Sequence, residues 1–206
     1  MEKNDDILPA FFCVPDLTGF TKFVASTDIS FSKDFIAGLL RRLINANILK
    51  MSVGEIEGDA IFFYRTGRLP SVNQVAKQCK TFFKVFYDYI NSVEKGHPEN
   101  HEKHLADGQM GLKIIIHYGK IGVANIKGRN KLIGEDVIIA HKLLKNSIQD
   151  NEYILLTQNY LNKIRKSKVD SWFHWEELKP LSDEYDHIGK IEYQYIPINQ
   201  THSNVM

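Results

Sequence analysis

Pro15-Asp16-Leu17-Thr18-Gly19-Phe20-Thr21 and Gly54-Glu55-Ile56-Glu57-Gly58-Asp59-Ala60 each set an aspartate and a glycine at the end of an apolar, strand-like run. Asp16 follows Phe11-Phe12-Cys13-Val14, and Asp59 opens onto Ala60-Ile61-Phe62-Phe63-Tyr64. With the two strands side by side, the carboxylates converge on one edge of a sheet. Hard oxygen donors beside a glycine-rich turn suit a divalent cation that carries a phosphorylated ligand. Taken singly, each aspartate has a plainer use. One caps a helix and the other makes a hairpin turn with Gly58. The ordered pair is what points to a metal.

The elements that must position this pair follow from periodicity. Residues 11–15 read as a buried strand and 17–26 as a short helix that Asp16 or Thr18 can cap. A longer helix spans 31–49, with its start marked by Ser32 and Asp34 and with Phe35, Leu39, Leu40, Leu43, Ile44 and Ile48 at helical spacing. Two strands, 50–57 and 60–65, flank the Gly58-Asp59 turn. Residues 71–94 form a long helix whose Val75, Cys79, Phe82, Phe83, Phe86, Tyr89, Ile90 and Val93 make one broad apolar face, a face for packing on a sheet. A polar loop is expected over 96–109. Strands over 112–118 and 121–126 follow, separated by Gly119-Lys120, and then a basic turn over 127–131. A helix over 134–147 places Val137, Ile138, Ala140, His141 and Leu144 on its apolar side. A strand at 153–157, a basic helix at 158–166 and strands near 172–178 and 189–196 complete the chain. This order of hairpins and crossover helices predicts an α+β fold, a mixed, mostly antiparallel sheet with helices packed on it.

The chain has 206 residues, 43% hydrophobic and 25% charged, which suits one domain with a substantial core. That domain is expected over 10–197, with flexible termini at 1–9 and 198–206. Lys+Arg 26 against Asp+Glu 25 gives no global field for nucleic acid or an anionic membrane. The polar, acidic start Met1-Glu2-Lys3-Asn4-Asp5-Asp6 is not a targeting peptide, and no apolar run reaches spanning length. A cytoplasmic location is expected. Cys13 and Cys79 read as small buried residues of a reducing compartment, too few for a zinc site.

Other polar groups have bland uses. His97, His101 and His104 gather a metal only if their segment is helical, and Pro98 with its polar surroundings favours a loop. His117 reads as a packed, hydrogen-bonded histidine. The basic turn lacks the interleaved aromatics of a nucleic-acid site. No Walker or Rossmann loop and no nucleophile motif is present.

Three motifs together resemble the class III nucleotidyl cyclase catalytic domain, the adenylate/guanylate cyclase homology fold, and the likeness covers almost the whole chain. Phe12 through Thr21 is similar to that family's first-strand pattern. Glu55 through Phe63 resembles its second metal motif. Ile116-His117-Tyr118-Gly119 to Gly128, followed by Gly134-Glu135-Asp136-Val137 and Ala140, resembles its strand pair and following helix. The resemblance implies a ferredoxin-like, cyclase-type sheet and a site for a purine nucleoside triphosphate. Asp16, Asp59 and the Leu17 carbonyl would hold two Mg²⁺ or Mn²⁺ ions. Backbone N–H groups of Gly19, Phe20 and Thr21 would meet phosphate oxygens. It implies cyclisation by attack of the ribose 3′-hydroxyl on the α-phosphorus with loss of pyrophosphate. It also implies a homodimer whose sites combine both protomers.

The sequence departs from that pattern at the groups that stabilise the transition state. Ile138 stands at the family's asparagine position and cannot hydrogen-bond. Lys142 stands at its arginine position and keeps the charge without the planar fork. Loss of one such donor typically costs ~10²–10³ in rate. Glu55, at the first purine-selecting position, matches a guanine edge. Lys131, at the second, has the charge to pair with Glu55 and close the pocket. Lys190 is the nearest counterpart of the family's late triphosphate lysine, with Lys179 as rival. Two expectations result. One is a divergent cyclase-like nucleotide-binding protein of weak or impaired activity, alone or with a complementing chain in a heterodimer. The other is a non-catalytic dimeric scaffold or sensor that retains the fold.

Overall fold

The computed structural model describes residues 7–164 and 178–198. Eight strands form one sheet: β1 (Leu8–Thr18), β2 (Ser52–Glu57), β3 (Ala60–Thr66), β4 (Gly111–Ile126), β5 (Arg129–Ile133), β6 (Tyr153–Thr157), β7 (Lys179–Tyr185) and β8 (Gly189–Pro197). Their order is β2-β3-β1-β4-β6-β8-β7, with β5 added alongside the far end of β4. Every pairing is antiparallel except β4–β6. The α+β reading therefore holds, and the sheet is mixed and mostly antiparallel.

Alternation along the strands sorts their side chains between two faces. Phe11, Cys13, Ile61, Phe63, Ile114 and Ile116 point into the larger core, beneath α1 (Phe20–Ser26), α2 (Ile29–Asn45) and α3 (Val72–Gly96). There Phe63 stacks on Phe82, centroids 5.6 Å apart, and the buried Cys13 and Cys79 add small apolar volume. Burial of Cys79 pushes its thiol up to about 12. Val14, Phe62 and Ile115 face the other way, as do Ala10 and Phe12. Together they meet α5 (Glu135–Lys142) and the 3-10 turn that continues it to Lys145.

Several local expectations are corrected. Helix α1 is not capped by Asp16 or Thr18. β1 runs through Thr18, and Gly19 takes the cap position in the left-handed region with no side-chain cap. Helix α2 begins earlier than Ser32, at Ile29, because Asp28 caps it by accepting from the N–H groups of Ser30 (2.7 Å) and Phe31. The 96–109 segment is not a loop. Pro98 sits at the first turn of α4 (Pro98–His104), where its missing N–H is harmless, and a 3-10 turn spans Ala106–Gly108. Gly119-Lys120 does not divide two strands; β4 passes straight through it. The basic tract turns only at Lys127-Gly128 and then becomes β5. The helix expected over 134–147 ends at Lys142, and α6 (Gln158–Leu161) is one short turn. The strand placed near 172–178 lies almost wholly outside the described residues, while β7, at 179–185, went unanticipated. No described helix is long and apolar enough to cross a membrane.

Candidate functional site

β1 lies between β3 and β4, so the strand carrying Asp16 is the immediate neighbour of the strand that Asp59 opens. The two carboxyl groups meet side chain to side chain. Asp16 shares the parity of Val14 and lies on the α5 side of the sheet, only 7% exposed. Burial pushes the Asp59 carboxyl up to about 7; the Asp16 charge and hydrogen bond add to the rise, while Asp59's own backbone N–H and Lys113 oppose it. Two carboxylates this close resist ionising together.

Lys113 completes this cluster. It faces Asp16 directly in the antiparallel β1–β4 register. Its Nζ lies 3.0 Å from Asp16 Oδ2 and donates to the Leu144 carbonyl at 2.7 Å. Sequence reading missed it. The available signal was a single charged residue inside the buried run Leu112 to Ile116, where a charge needs a partner.

The turn that follows Asp16 is set by close packing. Gly19 has φ 77°, and a Cβ there would overlap the Gln109 carbonyl. Glycine therefore lets β1 turn directly into α1. The Phe20 ring reaches within 4.0 Å of the Cβ position of Gly58, so the Gly19-Phe20-Thr21 turn and the Asp59 turn are neighbours. Leu17 is buried as part of the larger core.

A second cluster lies along β2. Lys131 Nζ donates to Glu55 Oε2 at 3.0 Å, the pairing anticipated from charge. His141 Nδ1 lies 2.9 Å from Glu57 Oε2, and its ring stacks on Phe62 at 3.8 Å. The ligand atoms of Glu55, Glu57 and His141 fall within 4.8 Å of one another. Glu57 and His141 were not singled out from the sequence. Glutamates two apart on one strand face were the visible clue.

Other expected site residues stand apart. Ile138 is 49% exposed on α5, where Ile139 is buried instead, which corrects its place on that helix's apolar side. Lys142 is exposed one turn further on. Lys190 Nζ donates to Glu192 at 2.9 Å on β8, and Lys179 lies over the Tyr195 ring at 5.8 Å. His117 is buried, with Nδ1 2.9 Å from Thr157 Oγ1 and Nε2 2.9 Å from Asp136 Oδ1. Burial raises the Asp136 carboxyl, but the bonds from His117 and from the Lys120 N–H outweigh it and hold Asp136 below its usual range. The three histidines of 97–104 diverge. His104 is buried against Ser26, and His97 packs edge-on to Phe31.

The Asp16–Asp59 donor set is all oxygen, anionic and only partly neutralised, which fits Mg²⁺ or Mn²⁺.

Comparison with solved structures places this architecture. The chain superposes on the adenylate cyclases of Trypanosoma brucei with a TM-score of 0.62 at 12% identity, covering 93% of this chain and 89% of that one. The guanylate cyclase domain of RhGC from Catenaria anguillulae, solved in complex with GTP, gives 0.60 at 16% identity, with 94% and 98% covered. The adenylyl cyclase CyaB from P. aeruginosa gives 0.57 at 12% identity, with 95% and 97% covered. The chain thus has the nucleotidyl cyclase fold. An uncharacterized protein of Mycobacterium tuberculosis, Rv2561/Rv2562, is 27% identical over 167 residues, 79% of this chain and 73% of that protein. The family model described as "Protein of unknown function (DUF2652)" matches residues 36–153, from α2 to the start of β6, and so takes in Asp59, Lys113, Lys131 and Lys142. With more than half its length matched, the chain belongs to that DUF2652 family.

Proposed function

We propose that this protein binds a purine nucleoside triphosphate together with a divalent cation held by Asp16 and Asp59, and that it cyclises the nucleotide weakly at best. The observation that carries this reading is the convergence of two part-buried carboxyl groups beside the Gly19 turn, with Asp59 raised to about 7. Nothing in the packing of a cap or a hairpin requires two carboxyls to be held against each other, at a cost in repulsion.

When bound there, Mg²⁺ or Mn²⁺ supplies positive charge to the triphosphate and acidifies the ribose hydroxyl. The Leu17 carbonyl is a further oxygen donor for the ion. The Gly19, Phe20 and Thr21 N–H groups offer donors to phosphate oxygens. Glu55 can accept from the N–H edge of guanine once Lys131 releases it. Lys190 and Lys142 bring charge to the triphosphate from a second copy of the chain, or from a complementing cyclase-like chain. Ile138 can donate nothing to the developing charge, which is why slow chemistry is expected.

The exposed Ile138 favours a second reading, a dimeric scaffold or sensor that binds nucleotide without turnover. An apolar residue in place of a hydrogen-bond donor suits contact better than catalysis. One experiment separates the two. ATP and GTP are titrated calorimetrically with Mn²⁺ into the protein and into Asp59→Ala, and the same mixtures are assayed for cyclic nucleotide. Binding lost in the variant, with cyclic product from the parent, supports the first reading. Asp59-dependent binding without product supports the second, and no binding by the parent refutes both.

A further inference from the structure

We propose that Lys113 is a built-in counter-ion of the Asp16–Asp59 pair, and that a divalent cation enters the site only by displacing its ammonium group. This rests on the metal-site reading above and names what regulates that site.

The geometry is that of an occupied cation position. Asp16 and Lys113 are opposite residues of adjacent strands, so their side chains rise together from the same face of the sheet. Nζ stands 3.0 Å from Asp16 Oδ2, with both side chains largely withdrawn from solvent, 13% and 9% exposed. Charges shielded from water interact more strongly than surface pairs. Lys113 thus sets a positive charge directly against Asp16, as a monovalent stand-in for a divalent ion.

A second contact gives the lysine somewhere to go. Nζ donates to the Leu144 carbonyl at 2.7 Å, in the 3-10 turn beyond α5. The ammonium can leave Asp16 and keep that bond, so displacement by a doubly charged ion does not strand a buried charge. The arrangement lowers metal affinity below that of a bare carboxylate pair and ties metal entry to a movement of Lys113 toward α5.

The test uses the full chain and Mn²⁺ followed by electron paramagnetic resonance. Lys113→Met removes the charge while keeping the length, and is expected to bind Mn²⁺ roughly tenfold or more tighter than the parent, from the loss of one close opposing charge. Lys113→Arg is expected to stay close to the parent. Because Lys113→Met leaves the acidic pair unneutralised and can lose its fold, a second measurement uses the unmodified protein. Its Lys113 ¹⁵Nζ resonance is followed as diamagnetic Mg²⁺ is added, and it is expected to shift in step with site occupancy. If Asp59-dependent Mn²⁺ binding is no tighter in Lys113→Met, or the Lys113 resonance is indifferent to Mg²⁺ saturation, the counter-ion proposal is overturned while the metal site stands. If neither parent nor variant binds Mn²⁺, both are overturned.

Discussion

Asp59 carries a cost that can be measured without any ligand. Its carboxyl titrates at about 7 in the folded chain against an ordinary value of 3.8, so the folded state binds that proton more tightly than the unfolded chain does. Stability therefore declines as pH rises from about 4 to about 7, and the loss is complete above that window. Asp59→Asn removes the charge and is expected to be the more stable protein at pH 8. Partial solvent screening reduces the difference to roughly 1 kcal/mol, or about 2–4 °C in Tm. The gain should shrink as pH is lowered toward 4, and thermal melts across that range would reveal it. A pH-independent difference would mean that ionisation of Asp59, disfavoured by burial and then by the Asp16 charge, is not its source. At this scale the two aspartates were legible, because each interrupts an apolar run at a glycine. Lys113 was not, because its meaning depends on register. Only the alignment of β1 against β4 puts it opposite Asp16.

Gly119 shows how an element can be misjudged from composition. Gly-Lys between two apolar runs has the look of a turn, yet β4 continues through it for 16 residues. The reason lies on α5. A Cβ on Gly119 would overlap the Asp136 carboxylate, which accepts from the Lys120 N–H at 2.7 Å and bonds to His117. Glycine here makes room for a neighbour and leaves the chain direction unchanged. Gly119→Ala should push Asp136 off both partners and destabilise the fold by about 1–3 kcal/mol, as overpacked sites do. Chemical denaturation of the variant would check this, with no loss expected if Asp136 can turn outward freely. The periodic helices were the easily read elements. Most of the apolar face expected on α3 is buried, and Ser71 opens that helix with a capping box through Gln74. The 96–109 segment was missed because its charged residues gave no apolar stripe, although α4 buries His104.

The molecule's architecture, a mixed, mostly antiparallel sheet with helices against it, followed from the order of its elements, since alternating hairpins and crossover helices leave few topologies, and its cyclase type followed from the resemblance of three motifs. Its assembly was less readable, because interfaces are not periodic. If α5 faces a second copy, as the proposed function holds, the exposed Ile138 lies in that contact. Ile138→Asp should then shift the protein from dimer to monomer in sedimentation velocity, with the monomer's melting unchanged to within about 0.5 kcal/mol because the site is already half exposed. A monomeric parent would refute that arrangement. The central position of β1 has a further consequence, during synthesis. Its partners on one side, Ala10 to Cys13 against β3, lie within the first 66 residues, but its eleven partners on the other side run from Gly111 to Ile121. At ribosomal rates of roughly 5–20 residues per second, that second edge waits about 3–11 s after residue 66 for its strand to be translated. Through that interval the nascent chain displays Phe11-Phe12-Cys13-Val14 on an open backbone edge, a template for pairing with another chain. Nascent chains stalled before residue 111 should therefore present the β1 edge to chaperones or to another chain, and chains stalled after residue 126 should present the β4 edge instead, until β6 follows.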